Sequence, residues 1–216
     1  MFETESFFSK NSFDNLWTPS AFVWTPLLEL AKIVKERNSC KIEIEIPEGV
    51  FLQNPEQISI GKDTVIEPNV LIQGPCIIGR NCTIRHGAYI RGPFICGDYC
   101  HIGHAAEVKH SLFLDYAAAT HFSYVGDSIL GRDVNLGAGV KCANLRLDRK
   151  EIFIHHQNEK IPTGLKKFGA IVGDRSQIGC NCVLNPGTLV YPGHLSLPLT
   201  TLKGIKHPPL EKAYVS

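Results

Sequence analysis

The stretch IGKDTVIEPNVLIQGPCIIGRNCTI, residues 60–84, carries an isoleucine at every sixth position: Ile60, Ile66, Ile72, Ile78 and Ile84. A period of six matches neither the 3.6 of an amphipathic helix nor the alternation of a half-buried strand. The series runs on through Ile90, Cys96, Ile102 and Val108. It then shortens by one residue twice and continues as Phe113, Ala119, Val125, Leu130, Leu136 and Cys142. After an interruption it resumes at Val172, Ile178, Leu184 and Val190.

The remaining positions of the hexad agree with one another. The residue after the aliphatic is often glycine (Gly61, Gly79, Gly97, Gly103, Gly126, Gly131, Gly137, Gly173, Gly179), which suggests the backbone angles of a tight corner. The fourth residue after it is small and expected inside: Thr64, Val70, Ala88, Ala106, Ser123, Val134, Val140 and Ser176. Cys76, Cys82, Cys100 and Cys182 occupy that same slot, so they read as core fillers. With one short strand and one corner per hexad, three hexads close a triangular coil of about 18 residues, and coils stack at about 4.8 Å. The fold expected over residues 58–194 is therefore all-β, a parallel β-helix of hexapeptide repeats.

Outside that span, Thr25-Pro26 is a good helix start, and Leu27, Leu28, Leu30, Ile33 and Val34 give one apolar face to about Arg37. Lys41–Ile46 alternates like a strand. Residues 1–57, with a helix around 26–37, are expected to cap the first coil, since solenoid ends need covering. Residues 143–171 are expected to leave the helix as one long excursion loop carrying His155, His156, Lys160, Lys166 and Lys167, and loops of that length are often functional. The tail, 195–216, with Pro198, Pro208 and Pro209, is expected to be irregular.

Bulk properties exclude several classes. A formal net charge of +1, with 20% charged residues, gives no electrostatic reason to expect nucleic acid or an anionic membrane as partner. Met1–Lys10 lacks a secretory pattern and no apolar stretch is long enough for a membrane span, so a soluble cytoplasmic protein is expected. The eight cysteines contain no CxxC pair and point to neither disulfides nor a metal site.

Stacking turns spacing into geometry, because residues one coil apart at the same position lie above one another. The face holding Ile84, Ile102, Ala119 and Leu136 carries His86, His104, His121 and Ala138 in one column, and Tyr89, Glu107 and Tyr124 in another. Three readings of the histidines stay open: a general base, a metal site, or ordinary corner residues. On the next face Arg91 lies beneath Lys109, and two like charges at strand spacing repel unless an anion lies between them. That pair reads as a clamp for phosphate or carboxylate, or as two side chains reaching into solvent.

The segments that follow in order are more specific. They are Arg91, Val108-Lys109, His121-Phe122-Ser123-Tyr124-Val125-Gly126-Asp127, Asn135-Leu136-Gly137-Ala138-Gly139 and Cys142-Ala143-Asn144. Over residues 58–194 the chain resembles the acetyltransferase half of the bacterial bifunctional N-acetylglucosamine-1-phosphate uridyltransferase/glucosamine-1-phosphate acetyltransferase, within the hexapeptide-repeat transferase superfamily. The resemblance implies a left-handed β-helix and a homotrimer with active sites between subunits. It implies His121 as the general base, with Arg91, Lys109, Tyr124, Asn135 and Lys167 binding the sugar phosphate. Ala138, by its backbone N–H, and Asn144, Leu145 and Cys180 fall at the positions that meet acetyl-CoA. Several residues depart from the family pattern: Cys180 stands for serine, His104 for asparagine, and Ala143-Asn144-Leu145 for a Cys-Asn-Tyr run. The excursion is longer, the C-terminal region lacks arginine, and no nucleotide-binding loop is seen, so uridyltransferase activity is not expected.

The function expected on these grounds is acetyl-CoA-dependent N-acetylation of glucosamine-1-phosphate or a related amino sugar phosphate, as in UDP-N-acetylglucosamine biosynthesis. The alternative is a non-catalytic β-helix module that binds sugar nucleotides, related to sugar-phosphate nucleotidyltransferases. A metal-dependent hydratase of similar fold would show paired histidines five residues apart near His121, which the sequence lacks.

Overall fold

The computed structural model describes residues 2–18 and 21–208. Short parallel strands wind into a three-faced β-helix. The first face is a seven-stranded sheet that includes Thr83–Ile84, His101–Ile102, Ala118–Ala119, Asn135–Leu136 and Gln177–Ile178. The second and third faces form one continuous sheet, because Tyr89–Cys96 and Glu107–Phe113 run through the corner between them. The second face continues in Tyr124–Gly126, Lys141–Cys142 and Val183–Leu184, and the third in Ile129–Leu130, Ala170–Val172 and Thr188–Val190. The six-residue column fills the interior: every member from Ile60 to Val190 is buried, as are the small residues four positions on. Burial pushes the Cys76 and Cys142 thiols up to about 12, so both behave as inert hydrophobes.

The glycines serve a different purpose from the one expected. Of the nine that follow a column residue, none has a positive φ. Their role is close approach: a Cβ on Gly79 would lie 2.3 Å from the Gly97 carbonyl oxygen, and one on Gly173 would lie 2.6 Å from Pro192 N. The left-handed turn falls two residues later, at Asp63, Asn81, Tyr99, Tyr116, Asp133 and Arg175, all with φ between 53° and 63°. The tertiary stack overrides the steric preference of tyrosine and arginine there.

The N-terminal segment divides between two tasks. Ile42, Ile44, Ile46, Val50 and Leu52 cover the end of the first coil, with Ile42 bridging Ile60. Residues upstream do not cap; they lie along the third face. The helix Thr25–Arg37 buries Leu27, Leu30 and Val34 there, together with Phe2, Phe7 and Trp24. The reason is written on that face, where Ile77, Ile95, Leu112, Ile129, Ile171 and Leu189 all point outward. An apolar ridge of that length must be covered. One polar tie fixes the wrap: Asp174, buried, accepts Ser9 Oγ–H at 2.6 Å and the N–H groups of Ser9 and Arg132 at 2.8 Å. Ser9→Ala is expected to cost about 1.5–3 kcal/mol, the worth of a hydrogen bond to a charged group. An unchanged urea midpoint would refute that role.

The tail also differs from the expectation. Leu195–Ser196, Thr201–Leu202 and Ile205–Lys206 add strands to all three faces, so the helix continues past 194. The six-residue step runs Val190, Ser196, Leu202, and the polar Ser196 with its neighbouring prolines obscured it. Residues 209–216 lie outside the described part. The 143–171 excursion is not structureless. It forms an antiparallel hairpin, Phe153–His156 with Glu159–Pro162, and buries Ile152, Ile154, Leu165 and Phe168 against the flank cluster, where Phe168 meets Trp24. Among the described residues no helix is long and apolar enough to cross a membrane.

Candidate active site

The corner between the first and second faces carries the histidine column. His86 and His104 stack at 5.4 Å between ring centroids, and His104 meets the edge of Phe122 at 5.1 Å. His104 Nδ1 lies 2.7 Å from the His86 carbonyl oxygen, which ties that ring to the coil below. His121 behaves otherwise: its ring is exposed and has no hydrogen-bond partner among the described residues. The column continues through Ala138 and Cys180. The Gly139 N–H donates to the His121 carbonyl and the Asn181 N–H to the Ala138 carbonyl, each at 2.8 Å. Those two ladder bonds put Ala138 one coil above His121 and Cys180 one coil above Ala138. The Ala138 N–H itself donates to no acceptor among the described residues. His101, facing outward on the first face, has its pKa lowered by burial and by the nearby charges of Arg85 and His121.

On the second face Arg91 pairs in register with Lys109, as the spacing required. The expected repulsion is relieved from within the chain. Arg91 Nη1 meets Glu107 Oε1 at 2.7 Å, and Lys109 Nζ meets Asp127 Oδ2 at 3.1 Å. Asp127 is the hub of this corner. It also faces His110 Nδ1 at 2.8 Å and accepts a hydrogen bond from the Asn144 amide, which in turn donates to Tyr124 Oη at 3.2 Å. Burial pushes the Asp127 carboxyl up, but the hydrogen bonds from His110 and Asn144 and the charge of Lys109 more than offset this and hold it below the usual carboxylate value. Burial and the nearby Asp127 charge push the Tyr124 phenol up.

The residues singled out from the sequence are thus regrouped. Arg91, Lys109 and Tyr124 share one surface, and Asn144, expected to meet the coenzyme, joins them through Asp127. Lys167 approaches from the excursion: it bridges Leu145, and the next residue, Phe168, donates its N–H to the Asn144 carbonyl. Asn135, expected beside the sugar, instead lines a groove of about 340 Å³ with Gly137, Gln177, Cys180 and Leu197. Leu145 opens on a separate cleft with Arg146, Asp148 and Lys203. Within one chain, therefore, the coenzyme residues Ala138 and Cys180 and the pair Asn144 and Leu145 do not converge. Sequence reasoning missed His110, and gave Asp127 no role although it ends the HFSYVGD segment. The signal was the one-residue shortening of the period at each of these two positions.

Comparison with known proteins agrees with this architecture. The family described as bacterial transferase hexapeptide (six repeats) matches residues 57–92. A bifunctional sugar-1-phosphate nucleotidylyltransferase/acetyltransferase of Sulfurisphaera tokodaii is 40% identical over 93 residues, covering 40% of this chain. The bifunctional protein GlmU of Methanococcus aeolicus is 36% identical over 84 residues, 39% of this chain. The chain spans only 23% and 20% of those two relatives. An uncharacterized acetyltransferase of Escherichia coli K12, YaiX, is 32% identical over 160 residues, which cover 74% of this chain and 67% of YaiX. Among solved structures, the polysialic acid O-acetyltransferase OatWY aligns over 76% of this chain and 77% of its own, at 14% identity and a TM-score of 0.26, too slight a likeness to carry an argument. The repeat, the parallel three-faced coil and the extent of the match to YaiX make this chain a member of the hexapeptide-repeat acyltransferases, with their left-handed β-helix.

Proposed function

We propose that the protein is an acetyl-CoA-dependent N-acetyltransferase whose acceptor is glucosamine-1-phosphate or a related amino sugar phosphate. The observation that carries this reading is the stacking of His121 directly beneath Ala138, at one end of the face whose other end holds the Arg91–Lys109 pair in register. In this reading His121 takes the proton as the amine nitrogen bonds to the thioester carbon. The developing oxyanion meets the uncommitted Ala138 N–H. The C–S bond then breaks, and the coenzyme thiolate leaves with the proton. Arg91, Lys109, Tyr124 and Lys167 hold the sugar phosphate, and Asn135 lies toward the sugar. Asn144, Leu145 and Cys180 serve the coenzyme. Because these groups do not converge within one chain, the reading takes the site to be completed between subunits of a homotrimer.

The direct test mixes protein, acetyl-CoA and glucosamine-1-phosphate and follows free thiol. Release that requires both substrates is expected. Glucosamine-1-phosphate bound without release, and without affinity for CoA, would instead favour a non-catalytic sugar-nucleotide-binding module.

A further inference from the structure

At the corner between the second and third faces the chain changes its step. Two residues, Gly92 and Pro93, span it in one coil, and a single residue, His110, spans it in the next. Asp127 takes the same place one coil further on. Both single residues adopt left-handed backbones, φ 47° and 49°. The shortened corner stacks them, so that Nδ1 of His110 lies against the Asp127 carboxylate. The His110 side chain is 23% exposed, and its Nε2 has no partner among the described residues.

The charges around this point are unevenly spent. Arg91 is paired with Glu107 and Lys109 with Asp127, so of the three cations assigned to phosphate only Lys167 lacks an ion pair among the described residues. Three cations against two carboxylates leave one positive charge. A phosphate monoester carries close to two negative charges above its second pKa of about 6. The geometry points to His110 as the group that supplies the missing charge: it becomes protonated when a phosphate monoester binds, keeping Nδ1–H on Asp127, and so sets the preference for a dianion. This rests on the reading of the cluster as a phosphate site.

The neighbours of His110 support that assignment. Lys109 precedes it on its own strand, Asp127 lies one coil above, and Asn144 reaches in from the root of the excursion. Below it Gly92 and Pro93 bring no charge. The Asp127 carboxyl is held anionic by these same partners, so the proton goes to the imidazole.

Calorimetric titration with glucosamine-1-phosphate, and separately with inorganic phosphate, in two buffers of different ionisation heat counts the protons. The protein is expected to take up roughly half to one proton per anion near neutral pH. His110→Asn should take up none, since its amide can still reach Asp127 and asparagine tolerates the left-handed backbone. At about pH 6.5 its KM for the sugar phosphate should rise about tenfold, the worth of one charge-assisted hydrogen bond, with kcat changing less. His110→Lys, charged throughout, should restore the KM and remove its pH dependence. No proton uptake by the native protein, or uptake retained in His110→Asn, overturns the proposal. Failure to acetylate any amino sugar phosphate, with His110-dependent uptake on phosphate intact, would discard the substrate and keep the role of His110. Binding of neither anion would discard both.

Discussion

Replacement of His121 by alanine is expected to lower kcat by about 10²- to 10⁴-fold, the usual contribution of a positioned general base. The fold should not suffer. The imidazole is exposed and holds no hydrogen bond within the described chain, so truncation neither opens a cavity nor strands a partner. The backbone of residue 121, which accepts from the Gly139 N–H, is left in place. Loss of turnover with an unchanged melting transition would separate a chemical role from a structural one. A variant that kept more than about a tenth of the native rate would remove His121 from the mechanism, because a loss so small lies below what proton transfer contributes.

The second large effect is expected at Asp127. Its side chain is 5% exposed, and truncation to alanine leaves Lys109, His110 and Asn144 without their shared acceptor. Breaking a buried, hydrogen-bonded ion pair from one side costs about 3–5 kcal/mol. Sugar-phosphate affinity should fall with it, because Lys109 and the excursion root are both oriented through this carboxylate. The contribution to stability has a definite pH dependence. The folded carboxyl titrates below its unfolded value of about 3.9, so its stabilisation is fully present above that value and is lost as pH falls through the depressed folded value. Urea midpoints should therefore differ widely between native protein and Asp127→Ala at pH 7, and the gap should narrow with acid below about pH 4. Equal midpoints at pH 7 would falsify the hub.

What was legible in the sequence was whatever depends on period. A buried side chain every six residues fixes strand, corner and face together, so the Ile60–Val190 column and the Arg91–Lys109 register follow from the spacing alone. The helix start at Thr25-Pro26 was equally local, since proline there is pre-organised and donates no N–H that a helix needs. The flank ridge was also present as a pattern, an apolar residue before each third-face column position from Ile78 to Val190, but it becomes a signal only once the three faces are told apart. The tail was misread because Ser196 interrupts an apolar column that Leu202 resumes.

The remaining properties were decided by contacts between coils, which no local rule contains. The corner glycines are demanded by the next coil's backbone rather than by their own torsions, and only the stack reveals that Tyr99 and Tyr116 take the left-handed turn instead. The pairing of Arg91 with Glu107, and of Asp127 with Lys109, His110 and Asn144, depends on side-chain reach across coils; spacing gives adjacency but does not say which neighbour neutralises a charge. The sequence by itself determined that this chain is a six-residue solenoid with histidine and cation columns on its surface. The tertiary structure alone decided what covers the third face and which of those cations remain uncompensated, because burial and electrostatic compensation depend on distances that exist only once the coils are stacked.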